Sequence, residues 1–173
     1  SIGCHSNKYL LTKANPNKKG FSQKKLDSLS AYLKNSGSEA LMILTDGKIV
    51  YDWGNTYKKL LVHSIRKALL NSLYGIYIEN GTIDTTSTIE ELGIDDINPL
   101  TETERSATIA DLLKSRSGIY HNAAAVSEGM LASMPERGIH KPNEAYYYNN
   151  WDFNTLGYIL EKQTGKTVFD LFN

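Results

Sequence analysis

An Asp-Gly pair between two β-prone runs constrains this chain more than any other feature. Ala40-Leu41-Met42-Ile43-Leu44-Thr45 enters Asp46-Gly47, and Lys48-Ile49-Val50-Tyr51-Asp52-Trp53 leaves it. A two-residue type I′ turn needs positive φ at both central positions, so the spacing predicts a tight antiparallel hairpin. The first run is nearly all apolar, which predicts a strand buried on both faces. Helical spacing flanks the hairpin. Leu26, Leu29, Tyr32 and Leu33 follow Ser22 as N-cap, with Gly37 as the stop. Ser64 to Glu79 reads as a helix with Ile65, Leu69, Leu73 and Ile76 on its buried side, closed by Gly81. Residues 82–105 are turn-rich. Thr108 then caps a short helix carrying Ile109, Leu112 and Leu113, stopped at Ser117-Gly118. A loose stretch runs from Tyr120 to Pro142, and a last helix starts near Asp152 with Phe153, Leu156, Ile159 and Leu160.

Composition removes several partners. The 173 residues carry 19 basic and 19 acidic side chains, so no net field is available to hold nucleic acid or an anionic membrane. The lysines at 18, 19, 24 and 25 read as a solvated helix face. No stretch of 18 apolar residues is present to span a bilayer. The one cysteine, Cys4, cannot form an intrachain disulfide. Ser1-Ile2-Gly3-Cys4 has two readings: the lipid-attachment site of a bacterial lipoprotein whose leader has been removed, or a spare surface cysteine. The first carries membrane attachment and an extracytoplasmic (periplasmic or secreted) location. His5, His63, His121 and His140 lack metal-ligand spacing, so neither metal nor cofactor is expected, and His63 is expected to be structural.

Two constellations carry chemistry. In Ser64-Ile65-Arg66-Lys67, positions i and i+3 share a helix face, bringing an amine to a hydroxyl that is inert without a neighbouring base. A serine in a first helical turn also lies near backbone N–H groups able to stabilise an oxyanion. Ser22-Gln23-Lys24-Lys25 has the same pattern but reads as an N-cap with a solvated lysine. What separates Ser64 is its place at the head of an apolar helix, where Lys67 is expected to be part-buried. The second constellation is Tyr146-Tyr147-Tyr148-Asn149-Asn150-Trp151, a polar aromatic wall ahead of the last helix. Aromatic stapling of a helix start is the competing explanation.

Taken in order, Ser64-x-x-Lys67, then Asp111-Leu112-Leu113-Lys114-Ser115-Arg116-Ser117-Gly118-Ile119, then Tyr148-Asn149-Asn150 with Leu156-Gly157 resemble the class C β-lactamase-like and penicillin-binding-protein-like serine hydrolases. That group includes D-alanyl-D-alanine carboxypeptidases, esterases and aminohexanoate-oligomer hydrolases. The resemblance implies a β-lactamase/transpeptidase-like α+β fold, seen here as its first hairpin and mainly helical subdomain, with the later sheet strands not present. Residues 1–21 are then an irregular lead-in, and 22–173 the N-terminal part of a single domain. The apolar turn Thr167 to Asn173 accordingly reads as a chain cut short.

The resemblance also implies roles. Ser64 would form an acyl-enzyme and Lys67 would hold or receive its proton. Tyr148 would act as general base, and Asn150 would bind the acyl side of the substrate, a small amide or ester such as a β-lactam, a D-Ala peptide or a carboxylester. Tyr147-x-Asn149 and Tyr120-x-Asn122 also fit Tyr-x-Asn, but the register to Leu156-Gly157 favours Tyr148. Pulling a phenol from ~10 toward neutrality takes ~4 kcal/mol, which a nearby ammonium supplies. Arg66, about 100° round the helix, is expected to be structural. The family's third motif, Lys-Thr-Gly or a relative on a later strand, has no counterpart: Gly165-Lys166-Thr167 lies in a turn directly after the second block. A non-catalytic penicillin-binding sensor of the same fold is the alternative.

Overall fold

The computed structural model describes residues 11–172, so Cys4, with its two readings, and His5 lie outside the described residues. The chain divides into two compact units, Ser1–Leu61 and Val62–Asn173.

In the first unit, α1 (Gln23–Leu33) precedes β1 (Ala40–Thr45) and β2 (Lys48–Gly54). Ser22 is the N-cap in extended geometry, without a side-chain cap bond. Asp46 (φ 51°) and Gly47 (φ 69°) turn the chain with positive φ at both positions, as the Asp-Gly pair requires. The strands pair antiparallel with Thr45 opposite Lys48, and an irregularity falls between Ile43 and Leu44. The expectation that β1 is buried on both faces is corrected: none of its residues is fully buried, and Leu44 is 45% exposed. Ile49 and Val50 of β2 are buried instead. Ile49 of β2 bonds to Thr12 and Ala14 on its outer side, whereas β1 pairs only with β2 among the described residues.

In the second unit a 3₁₀ turn (His63–Ile65) runs into α2 (Arg66–Glu79). Then come α3 (Glu102–Arg105), α4 (Ile109–Leu113), α5 (Glu128–Ala132) and α6 (Asn150–Thr164). Thr108 caps α4 as expected, and Asp111 completes a capping box. The two helices not expected, α3 and α5, are too short to show a period. Their sequence signals are caps: Thr101 with Glu104, and Ser127. The core gathers Leu73 and Tyr74 of α2, Ile109 and Leu112 of α4, and Leu156, Ile159 and Leu160 of α6, with Ile89 and Ile119 from the connections.

The buried side of α2 differs from the one expected. Leu73 is buried, but Ile65 (67%), Leu69 (50%) and Ile76 (57%) are exposed, while Leu70, Tyr74 and Tyr77 face the core. The Tyr74 hydroxyl donates to the Leu156 carbonyl at 2.7 Å and pins α2 to α6, which selects that face. Among the described residues no helix is long and apolar enough to cross a membrane.

Candidate active site

Ser64 sits in the 3₁₀ turn that leads into α2, exposed, and Lys67 follows half-buried in the first turn of the helix. The Lys67 ammonium reaches four residues. Nζ lies 2.7 Å from Tyr148 Oη, 2.6 Å from Asn150 Oδ1 and 3.5 Å from Ser64 Oγ. It also stands 4.2 Å from the Tyr148 ring centroid and 5.1 Å from that of Phe153, so two aromatic faces support the cation. Burial opposes ionisation of Tyr148. Hydrogen bonds from Lys67 and Ser64, with the Lys67 and Arg66 charges, outweigh it and hold the phenol below its ordinary value.

The second constellation divides between two sides because α6 begins earlier than expected, at Asn150 with Asn149 as N-cap. Tyr148 and Asn150 face Lys67, whereas Asn149 turns inward: it donates to Ile119 O and accepts from Trp151 N–H. Tyr147 also turns away, its hydroxyl donating to Met130 O at 2.7 Å. The Tyr120 hydroxyl pairs with His140 Nδ1 at 2.9 Å. Of the three Tyr-x-Asn readings, only Tyr148-x-Asn150 therefore meets Lys67. Asn150 is held at both ends, since its Nδ2 donates to the Ala125 carbonyl at 3.0 Å. Ala125 adopts φ 59°, a strained value for alanine, to present that carbonyl.

Several expectations of sequence are refined. The Ile65 N–H in the Ser64 turn bonds Val62 O at 3.0 Å and the Arg66 N–H bonds His63 O, so neither is a free oxyanion donor. His63 is exposed, in the left-handed region at φ 44°. Sequence spacing places Phe153 only on a helical apolar face and carries no signal that links Ala125 to Asn150. Both links are tertiary. A separate cavity of about 400 Å³, lined by residues including Asp96, Asn122, Trp151, Asn154 and Tyr158, contains none of Ser64, Lys67, Tyr148 or Asn150. Its Asp96 is already engaged by Trp151 Nε1 at 2.7 Å and His121 Nδ1 at 3.0 Å. Among the described residues no group of three or more His, Cys, Asp or Glu side chains is placed to hold a metal ion.

A family model described as Beta-lactamase matches residues 31–173. The chain belongs to the β-lactamase family. Members of that family are typically serine hydrolases, and the family's α+β fold is the one found here. A Bacillus anthracis protein described as a 6-aminohexanoate-dimer hydrolase superposes with a TM-score of 0.63 at 20% identity, over 91% of this chain and 49% of that one. The octameric penicillin-binding protein homologue from Pyrococcus abyssi gives a TM-score of 0.60 at 23% identity, over 85% of this chain and 40% of that one. This β-lactamase-family chain thus spans half or less of the length of these two structures. The comparison with curated proteins returns no match.

Proposed function

We propose that this chain carries the acylation site of a serine hydrolase acting on a small amide or ester. The observation behind this reading is the convergence of Lys67 Nζ on Ser64, Tyr148 and Asn150. In this reading Tyr148, with its phenol already biased toward ionisation, takes the Ser64 proton as Oγ bonds to the substrate carbonyl carbon. Lys67 stabilises the phenolate that precedes the step. When the tetrahedral adduct collapses, the C–N or C–O bond breaks and the leaving group takes that proton back from Tyr148. Water then adds to the acyl-serine, releasing the acid and regenerating Ser64. Asn150 orients Lys67 through Oδ1 and meets the acyl side of the substrate by exchanging its bond to Ala125. The proposed substrates are a β-lactam, a D-alanyl peptide or a carboxylester.

A fluorophosphonate probe tests the nucleophile. Ser64 is expected to be the labelled serine, Ser22 to remain unmodified, and Ser64→Ala to abolish labelling. Labelling that survives the substitution overturns the assignment. Labelling without turnover of a p-nitrophenyl acylate identifies a penicillin-binding sensor instead.

A further inference from the structure

The most deeply buried acid in the second unit lies two residues beyond Asn150 and has no part in the chemistry just described. Asp152 is fully buried, in the first turn of α6. Its Oδ1 accepts from Ser117 Oγ at 2.6 Å and, more distantly, from Asn149 Nδ2 at 3.4 Å, while Oδ2 has no partner. Ser117 in turn accepts from Ile119 N–H at 3.1 Å, and Asn149 donates to the Ile119 carbonyl. Ser117, Asn149 and Asp152 thus form one buried polar knot that ties the 117–119 turn to the start of α6. Gly118, at the centre of that turn, has φ 70°, and a Cβ there would lie 2.8 Å from His140 O, so the turn has little freedom to move. The knot alternates with the active side of the same segment: Tyr148 and Asn150 point to Lys67, and Asn149 and Asp152 point inward.

We propose that Asp152 is a positioning residue, holding Tyr148 and Asn150 against Lys67 through Ser117 and Asn149, and that it works as the neutral acid. The inference rests on the reading of Ser64, Lys67 and Tyr148 given above. The surroundings argue for the neutral form. Asp152 has no ion-pair partner among the described residues, and the charge facing it from α4 is another carboxylate, Asp111. From the 117–121 segment it meets Ser117 and the nearby phenol of Tyr120. The neighbouring His121 is occupied by Asp96 and faces Glu104, and Lys67 is engaged on the other side of the segment. Burial, reinforced by Asp111 and opposed only by Ser117, pushes the carboxyl well above the usual carboxylate range. Ionisation would place a charge in the core with one oxygen, Oδ2, left without a partner, and opening the 117–119 turn to water relieves that cost.

The test combines substitution with pH. In a Trp53→Phe background of residues 1–173, Trp151 is the one remaining tryptophan of that sequence and sits beside Asp152, so its emission reports the start of α6. With the proposal right, alkaline titration changes Trp151 emission before far-UV circular dichroism is lost. The fluorophosphonate labelling rate of Ser64 falls in step, about tenfold per pH unit above the transition. Asp152→Asn, which keeps the shape and cannot ionise, removes the transition and labels at neutral pH within about threefold of the parent. Asp152→Ala slows labelling at every pH or prevents folding. An unchanged transition in Asp152→Asn overturns the proposal, as does no transition in the parent, or neutral-pH labelling in Asp152→Asn as poor as in the alanine variant. If the parent never labels, the reading of Ser64 has failed, and the emission transition decides the role of Asp152 separately.

Discussion

Three consecutive tyrosines with the same chemistry occupy three environments, and only one is engaged by an ammonium. Tyr148 touches Lys67, Tyr147 donates to Met130 O, and Tyr146 is 65% exposed. Replacing each by phenylalanine should separate them. Tyr148→Phe is expected to lower kcat on a p-nitrophenyl acylate by ~10²–10⁴ with stability nearly unchanged, because only the acid-base group is lost. Tyr147→Phe should cost about 1 kcal/mol of stability and leave turnover intact. Tyr146→Phe should do neither. A pH profile adds a sign to the argument: with the phenol held below its ordinary value, kcat/KM rises with pH through that lowered pKa. Tyr148→Phe should erase that limb. Equal, small effects at all three tyrosines would make the row a structural wall.

At the scale of elements, α2 shows where periodicity stops being decisive. Its sequence places apolar residues at 69, 70, 73, 74, 76, 77 and 78, enough for two overlapping stripes. Helical period alone cannot choose between them. The choice is made by Tyr74, whose hydroxyl has one buried acceptor, Leu156 O, and so turns the 70/73/74/77 side inward. Urea unfolding should report the difference. Leu73→Ala is expected to cost ~2–5 kcal/mol, whereas Ile76→Ser should stay within ~0.5 kcal/mol. Comparable losses at both positions would mean that both stripes are packed. α3 and α4 illustrate the opposite case. With four and five residues they are too short to stand on propensity, and each is held by a reciprocal capping box, Thr101 with Glu104 and Thr108 with Asp111.

Across the second unit, two buried carboxyls are shifted in opposite directions. Glu104 is 2% exposed; burial alone would raise its carboxyl, but Arg137 and the Thr101 N–H hold it below the ordinary value. Arg137 bonds it through Nε at 2.8 Å and a second nitrogen at 2.7 Å, joining α3 to the segment after α5. A depressed carboxyl contributes stability above its unfolded pKa, and that contribution is lost as pH falls below about 4.3 through the folded value. Asp152 runs the other way: its raised carboxyl favours the fold at low pH, and that contribution fades as pH rises through the folded value. Arg137→Ala is therefore expected to destabilise by about 2–3 kcal/mol at pH 7 and by less at pH 3, because protonation of Glu104 as pH falls removes the charge that Arg137 pairs. Chemical unfolding at the two pH values measures this, and a loss independent of pH would show that Arg137 acts through packing.

Local chemistry made the hairpin, the start of α4 and the Ser64-x-x-Lys67 pair legible in the sequence. A positive-φ turn, a capping hydroxyl and an i, i+3 pair each involve only near neighbours along the chain. The order of the blocks around Ser64, Asp111 and Tyr148 was legible through its resemblance to a known family rather than through near-neighbour chemistry. What the tertiary structure decided was orientation. Whether Asn149 or Asn150 faces Lys67 depends on where α6 begins, and Asn149 caps it only while its amide is anchored to Ile119. Which side of α2 is buried depends on one hydroxyl meeting a carbonyl 82 residues away. Ala125, Phe153 and Asp152 enter the site, or support it, through contacts over long sequence separations. Alternation along the chain sets which residues share a face. Only packing against distant residues sets which face is inward, because the desolvation of a polar group is repaid by a partner that local sequence does not contain.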